Sequence, residues 1–451
     1  MPLVTPSRRR LLQLAGATAI APGLIGMKRT DVIGRVLAVS DMHSAYERTA
    51  QLLAAFETEV RANPVPHVIA IDGDIFEHGN VVAVRSGGVI DWAFLAALPA
   101  IAPTVFNLGN HDNDLTPDLA EVVARLKGLC IQVVSTIGDT RTGYGYADAS
   151  TTLPLGPRSL RVVGLATNAL TTYPKASREQ LSIPVAADWA SANLAGALAG
   201  GDLVMAMSHA GVTADLDILP LLPDGSLMIG GHNHLLFQHR QGRSAYVHTG
   251  SWTAAYAAAE FLSDGSVTAQ SRAVARDAPA SPALADLIAA TLAANLTEEE
   301  RTILGNSPRA LSLGDTGRRV AAGLAQAAGT DVGFIGHTTL GTGVPAGPVS
   351  RYDFDSVVRF DGKLMSATIS RAQLERVMAR ANQDRAMPLA DRSGDFLYAA
   401  AGSSRADHVR IATSDWCATN QAEYFGMTDL RFEAIAESSV KRAAAAALLT
   451  V

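Results

Sequence analysis

Five short apolar runs, each ending in a cluster of polar residues, constrain this chain more than any other feature. Val36 to Ser40 leads into Asp41-Met42-His43, and Val68 to Ile71 leads into Asp72-Gly73-Asp74. Thr104 to Leu108 leads into Gly109-Asn110-His111-Asp112. Leu203 to Met207 leads into Ser208-His209, and Leu227 to Ile229 leads into Gly230-Gly231-His232-Asn233-His234. Runs of β-prone residues without alternation read as strands buried on both faces. Helical patterns lie between several of them, as in Glu47 to Arg61 and Pro117 to Lys127. That order is an α/β layered architecture. In such sheets a ligand binds beyond the carboxyl ends of the strands, so the five clusters are expected to converge on one site.

The residue types in the clusters point to metal chemistry. Asp41, His43, Asp74, Asn110, His209, His232 and His234 offer carboxylate, imidazole and amide donors. That mixture suits Mn, Fe, Co or Zn rather than Ca or Mg. Two cations about 3.5–4 Å apart need several ligands each and a bridging carboxylate. Each residue alone says little: a lone histidine at a strand end is usually structural, and Asp-Gly-Asp is usually a turn. Five such clusters in one order are not a coincidence. The chain has only Cys130 and Cys417, which excludes a disulfide framework and any all-cysteine metal site. A net charge of −6 with scattered Arg and Lys argues against a nucleic-acid polymer as partner.

Asp-x-His, Gly-Asp, Gly-Asn-His-Asp, Ser-His and Gly-His-x-His, in this order over about residues 35–270, resemble the motifs of the calcineurin-like metallophosphoesterases. The resemblance implies a four-layer αββα sandwich and two divalent metal ions. By it Asp41, His43 and His234 hold one ion, Asn110, His209 and His232 hold the other, and Asp74 bridges. It also implies that His111 is a catalytic residue beside the substrate phosphate and not a ligand. In the 5′-nucleotidase branch its carboxylate partner lies three residues on, which here is Asp114; Asp112 is the alternative. The implied reaction is in-line attack by a metal-bound hydroxide on a small-molecule phosphate ester, most directly a nucleotide-type monoester. The alternatives on the same scaffold are a diester or cyclic nucleotide, a sugar phosphate or a thiosulfonate. A non-catalytic binding protein that keeps the fold has no need of His111.

The second half resembles, more loosely, the C-terminal domain of bacterial 5′-nucleotidases. The composition shifts to Ala, Pro and Ser near Asp277, and a helical stretch runs from Ala283 to Gly305. This places a catalytic domain over 31–276, a linker helix over 277–305 and a smaller α/β substrate domain over 306–451. Pro345 to Phe354 reads as a hairpin of that domain. The resemblance implies a base clamp made by Phe360 and Tyr424. The family's substrate-binding Asn and Arg are replaced by Gly336 and Gly341, and Arg359 or Arg351 is placed to supply a guanidinium instead. Glu77 and His78 follow Asp74 into the same cleft, and His248 reads as a supporting residue.

The first 26 residues read as a targeting segment. Ser7-Arg8-Arg9-Arg10-Leu11-Leu12-Gln13 precedes an apolar stretch from Leu14 to Gly26. Paired arginines before a short apolar run resemble a twin-arginine export signal, which implies the twin-arginine translocation machinery as a partner and a periplasmic or secreted protein. The run is too short, and too rich in Gly and Ala, for a stable membrane span.

Overall fold

The structure is a computed structural model that describes residues 31–400 and 406–450. The signal segment expected over residues 1–26 lies outside them. Val32–Val451 is one compact unit. Two six-stranded sheets carry the first half. In the first, the order is Val267–Ala273, Ala255–Leu262, Val32–Val39, His67–Asp72, Thr104–Asn107, Gln132–Val134. In the second, the order is Leu236–Gln241, Ser244–Thr249, Leu227–Gly230, Leu203–His209, Arg158–Ala166, Ser150–Leu155. The last four strands of the first sheet run parallel. So do Ser244–Thr249, Leu227–Gly230, Leu203–His209 and Arg158–Ala166 in the second.

The lack of alternation in the five runs has a direct cause. Val36, Ala38, Val68 and Ala70 face the second sheet and meet Met205, Met207, Leu227 and Ile229 in one buried cluster. Their neighbours Leu37, Val39, Ile69 and Ile71 point the other way, into a cluster with the helices Thr49–Ala62 and Val89–Ala97. Ala206 and Met228 point outward from the second sheet, onto the helices Ala186–Ala197 and Val212–Ile218. Both faces of both sheets are therefore covered, and the layers are helix, sheet, sheet, helix. Among the described residues no helix is long and apolar enough to cross a membrane.

The linker is shorter as a helix than its composition predicts. One helix spans Pro282–Asn295, with proline in its first turn, and buries Leu284 and Ile288 against the first-sheet helices. Thr297 then starts a separate turn, Glu298–Arg301, because its side chain and that of Glu300 form a capping box. Ile303–Ser307 is already a strand, paired with Gly347–Ser350. The hairpin expected over 345–354 is a strand followed by the helix Arg351–Val357. Ser350 and Asp353 cap that helix reciprocally, which turns the chain before a second strand can form.

The second half is built on a mixed sheet in the order Leu397–Ala399, Val332–Gly336, His408–Ser414, Leu364–Ser370, Glu433–Ala434. One face carries the helices Leu313–Ala328 and Val440–Leu448. The cluster that holds Val320, Leu324 and Leu340 also holds Val163, Leu165 and Phe237 of the first half. The two halves share apolar core there.

Candidate metal centre and catalytic site

Every cluster singled out in the sequence leaves its strand at the same end of the two sheets. The loops there are tightly constrained. Asp41, His43, Asp74, His232 and His234 all sit at φ between 49° and 74°, a left-handed region that costs most residues free energy. The backbones also pass very close. A Cβ on Gly73 would lie 2.7 Å from both Gly109 N and His209 Nδ1, so only glycine fits before Asp74.

The seven donor residues meet. His43 Nε2 lies 2.9 Å from His234 Nε2, and Asp41 Oδ1 lies 3.9 Å and 3.7 Å from them. His209 Nε2 lies 3.1 Å from Asp74 Oδ2, and His232 Nδ1 lies 2.8 Å from Asn110 Oδ1. Asp74 Oδ2 is also 3.8 Å from His43 Nε2, which puts it between the two groups. Two trios, Asp41/His43/His234 and Asp74/His209/His232, each bring one donor atom per residue within 4.8 Å of the others. Ligand atoms about 2.0–2.2 Å from a shared cation stand about 3 Å or a little more apart, so these spacings fit one.

An unsatisfied atom makes the same case. Asp41 Oδ2 is buried and has no hydrogen-bond partner. A buried polar atom without a partner is costly unless something fills its place. Burial pushes His43 down to about 4 and His232 down to about 3, and it pushes His234 down as well. These imidazoles are therefore neutral near pH 7, which is the form that binds metal. Burial raises Asp41 to about 7, although His209 opposes it, and a cation among these atoms would reverse that shift. The residues present thus fit divalent metal ions.

His111 lies beside His43 and Asp74 but differs from the donor histidines in exposure. Its side chain is 24% exposed, while those of His43, His209 and His234 are 6% exposed or less. Its Nδ1 is 2.9 Å from Asp114 Oδ2, and Asp114 also accepts from His78 N at 2.9 Å. Asp112 plays another part: it accepts from Ile75 N at 3.0 Å and Gly109 N at 2.6 Å and braces the loops. Burial pushes His111 down, but Asp74, Asp114 and Glu77 outweigh it and raise the group to about 10. It is held as an imidazolium. His248 bonds Tyr246 Oη at 2.7 Å and lies 3.2 Å from Asp215 Oδ2. Asp215 also accepts from Ser208 Oγ, so this buried network supports the strand that ends in His209.

The second half reaches the site through Arg359. Its guanidinium pairs with Glu77, and its Nη1 donates to Thr338 O at 3.2 Å. Its Cζ lies 4.4 Å from the centre of the Trp252 ring. His43 stacks on the same indole, with ring centres 4.9 Å apart and planes 23° from parallel. A cleft opens beside His43 and is walled by Trp252, Tyr352, Arg359 and Phe360. Arg351 is not among its walls.

The two residues of the expected base clamp lie in different surroundings. Phe360 is half exposed, but Tyr424 is only 2% exposed and belongs to the core under the second-half sheet. Its hydroxyl is engaged by Thr338 and Trp416, so no face of the ring is open to a base. The short helix Gln421–Phe425 turns both Tyr424 and Phe425 inward. Trp416, eight residues earlier, is the exposed aromatic of that segment at 58%. Sequence reasoning also missed Trp252. Its signal was positional, because Thr249-Gly250-Ser251-Trp252 follows another apolar strand of the second sheet. The Gly341 substitution has a steric reason too: a Cβ there would collide with the Trp252 indole.

Residues 34–236 match the family model described as calcineurin-like phosphoesterase. No curated protein matches the sequence. The fold is similar to that of a 5′-nucleotidase precursor from Thermus thermophilus, at 16% identity and a TM-score of 0.60 over 92% of this chain and 96% of that one. It is similar to the sulfate thiohydrolase SoxB of the same organism, at 14% identity and 0.60 over 93% and 94%. It is similar to a 5′-nucleotidase from Candida albicans, at 10% identity and 0.57 over 92% and 97%. Residues 34–236 are thus a calcineurin-like phosphoesterase domain, in a chain that has the two-part fold of the 5′-nucleotidases.

Proposed function

We propose that this protein is a metal-dependent phosphoester hydrolase that holds two divalent cations and is exported before it works. The observation that carries the reading is the meeting of seven converging donors with a His111–Asp114 pair beside them, whose imidazole is the more open of the two side chains. Asp41, His43 and His234 would hold one ion, Asn110, His209 and His232 the other, with Asp74 between them. When bound, such cations supply positive charge to a phosphoryl group and lower the pKa of water. The chain's own residues do the rest. His111 carries a proton at Nε2 for the leaving oxygen, and Asp114 at Nδ1 fixes the ring that offers it. Trp252, Phe360 and Tyr352 wall the cleft beside His43.

The ester is open to a second reading, for a specific reason. Tyr424 is buried and Gly341 is packed against Trp252, so the nucleotide-binding set is altered while the donors are complete. Phe360, half exposed on the cleft wall, is the ring left to hold a base. Hydrolysis by Mn-loaded protein of AMP, UMP, a 2′,3′-cyclic nucleotide and an aryl phosphate tests this, read as free phosphate from the monoesters and as the ring-opened nucleotide from the cyclic diester. Turnover of AMP and UMP well above the aryl ester supports a nucleotide site. Turnover of the aryl or cyclic esters alone keeps the hydrolase and discards the nucleotide. No turnover of any ester counts against the hydrolase reading itself.

A further inference from the structure

We propose that Arg359, Glu77 and Trp252 form a brace that carries the seating of the second half to one metal-binding histidine, His43, and so sets how tightly the metal there is held. The inference rests on the metal centre proposed above. Glu77 Oε2 lies 3.3 Å from His43 Nδ1, within ion-pair reach although not aligned as a hydrogen bond, and its other oxygen accepts from Gly79 N at 2.8 Å, which holds the carboxylate beside the ring. A carboxylate on one imidazole nitrogen orients the ring and makes the other nitrogen a better ligand. Here that other nitrogen is Nε2, the one turned toward His234 and the aspartates.

Glu77 is in turn held from the far half of the chain. Its partner is Arg359, and the two side chains are only 8% and 7% exposed. Removing one member of such a buried pair leaves an uncompensated charge. Trp252 supplies a second route to the same ring, since both His43 and Arg359 lie on its indole. Its position is built at a cost. Trp252 and Thr253 have φ of 57° and 51°, rare for a bulky and a β-branched residue. Trp252 N bonds Asp41 O at 2.9 Å, and Arg48 Nη1 bonds Trp252 O at 3.0 Å. Gly341 of the second half leaves the indole its room. Strain concentrated at one loop that touches both halves and a metal-binding ring is the mark of a positioning device.

The test is calorimetric titration of Mn²⁺ into metal-stripped full-length protein, with thermal melts of the stripped forms. Wild type is compared with Arg359→Gln, Arg359→Lys, Glu77→Gln, the double variant Glu77→Gln/Arg359→Gln, and Arg318→Gln as a distant control. Arg318 pairs with Asp315 and Asp384, away from the site. The brace predicts that Glu77→Gln and Arg359→Gln each weaken one of two Mn²⁺ binding events by about 10–100-fold and leave the other unchanged. The double variant should lose no more than either single one. Arg359→Lys, which keeps the charge but not the flat plane over Trp252, should lie between. Wild-type affinity in Arg359→Gln overturns the proposal. So does equal weakening of both events that only tracks a lower melting point, because that is the mark of a contact that merely holds the halves together. Phosphate release is followed alongside. Wild type that binds two Mn²⁺ yet hydrolyses nothing sinks the hydrolase reading and leaves the brace readable from binding. Wild type that hydrolyses, beside unaffected variants, sinks the brace alone.

Discussion

At the residue scale, His111 carries the chemical claim. It is the exposed imidazole of the site, bonded to Asp114 and outside both donor trios. His111→Ala should therefore lower kcat by about 10²–10⁴-fold while metal content stays at the wild-type value. Loss of metal with activity would instead make His111 a ligand, since it also lies near His43 and Asp74. Asp91 gives a test that does not involve the site's donors. It is buried, accepts from Tyr46 Oη at 2.7 Å, and burial raises it to about 7. Its unfolded value is about 3.9. Between those values the folded state binds more protons, so stability falls as pH rises through that window and levels off above it. Asp91→Asn removes this dependence. Relative to wild type, the variant should gain on the order of 2 kcal/mol between about pH 5 and about pH 8, read by urea unfolding. An equal difference at both pH values contradicts the assignment.

At the scale of elements, the site depends on strand ends and on loops that pass each other without side chains between them. A Cβ at Gly109 would run into Asp74, whose backbone nitrogen lies 2.7 Å from where it would sit. Gly109→Ala is expected to cost about 1–3 kcal/mol and to lower metal affinity, as measured by unfolding and metal titration. Gly128 has nothing within 4 Å of its would-be Cβ and ends the helix Leu119–Gly128, so Gly128→Ala should leave metal affinity unchanged and cost no stability. These elements also explain what was legible in the sequence. Asp41, Asp74, Asn110, His209 and the His232/His234 pair each follow a run whose burial on both faces is written in its composition. Strand identity fixes where such residues point. Nothing local decides which aromatic of a short helix faces out. Tyr424 is turned inward by packing against Phe334, Leu397 and Ile411 of its own sheet, so Trp416 is left exposed instead. Trp252 was hidden for a related reason, since its place depends on Gly341, which is distant in sequence and in contact with it in space.

At the scale of the molecule, the two halves behave as parts of one body. They share an apolar cluster, and polar contacts cross between them at Arg359–Glu77, at Arg48–Thr342 and at His337–Asn233. The helix Pro282–Asn295, which lies in the expected linker, is packed into the first-half core by Leu284 and Ile288. The second half is therefore seated against the donor residues, and the cleft beside His43 is formed by both halves together. That arrangement makes sense if the centre holds metal and cleaves an ester there. The direct measurement is phosphate release from the ester panel by protein stripped of metal, then titrated with Mn²⁺. The account predicts no turnover without metal and a rise that saturates near two Mn²⁺ per chain. Full turnover by verified metal-free protein would contradict it.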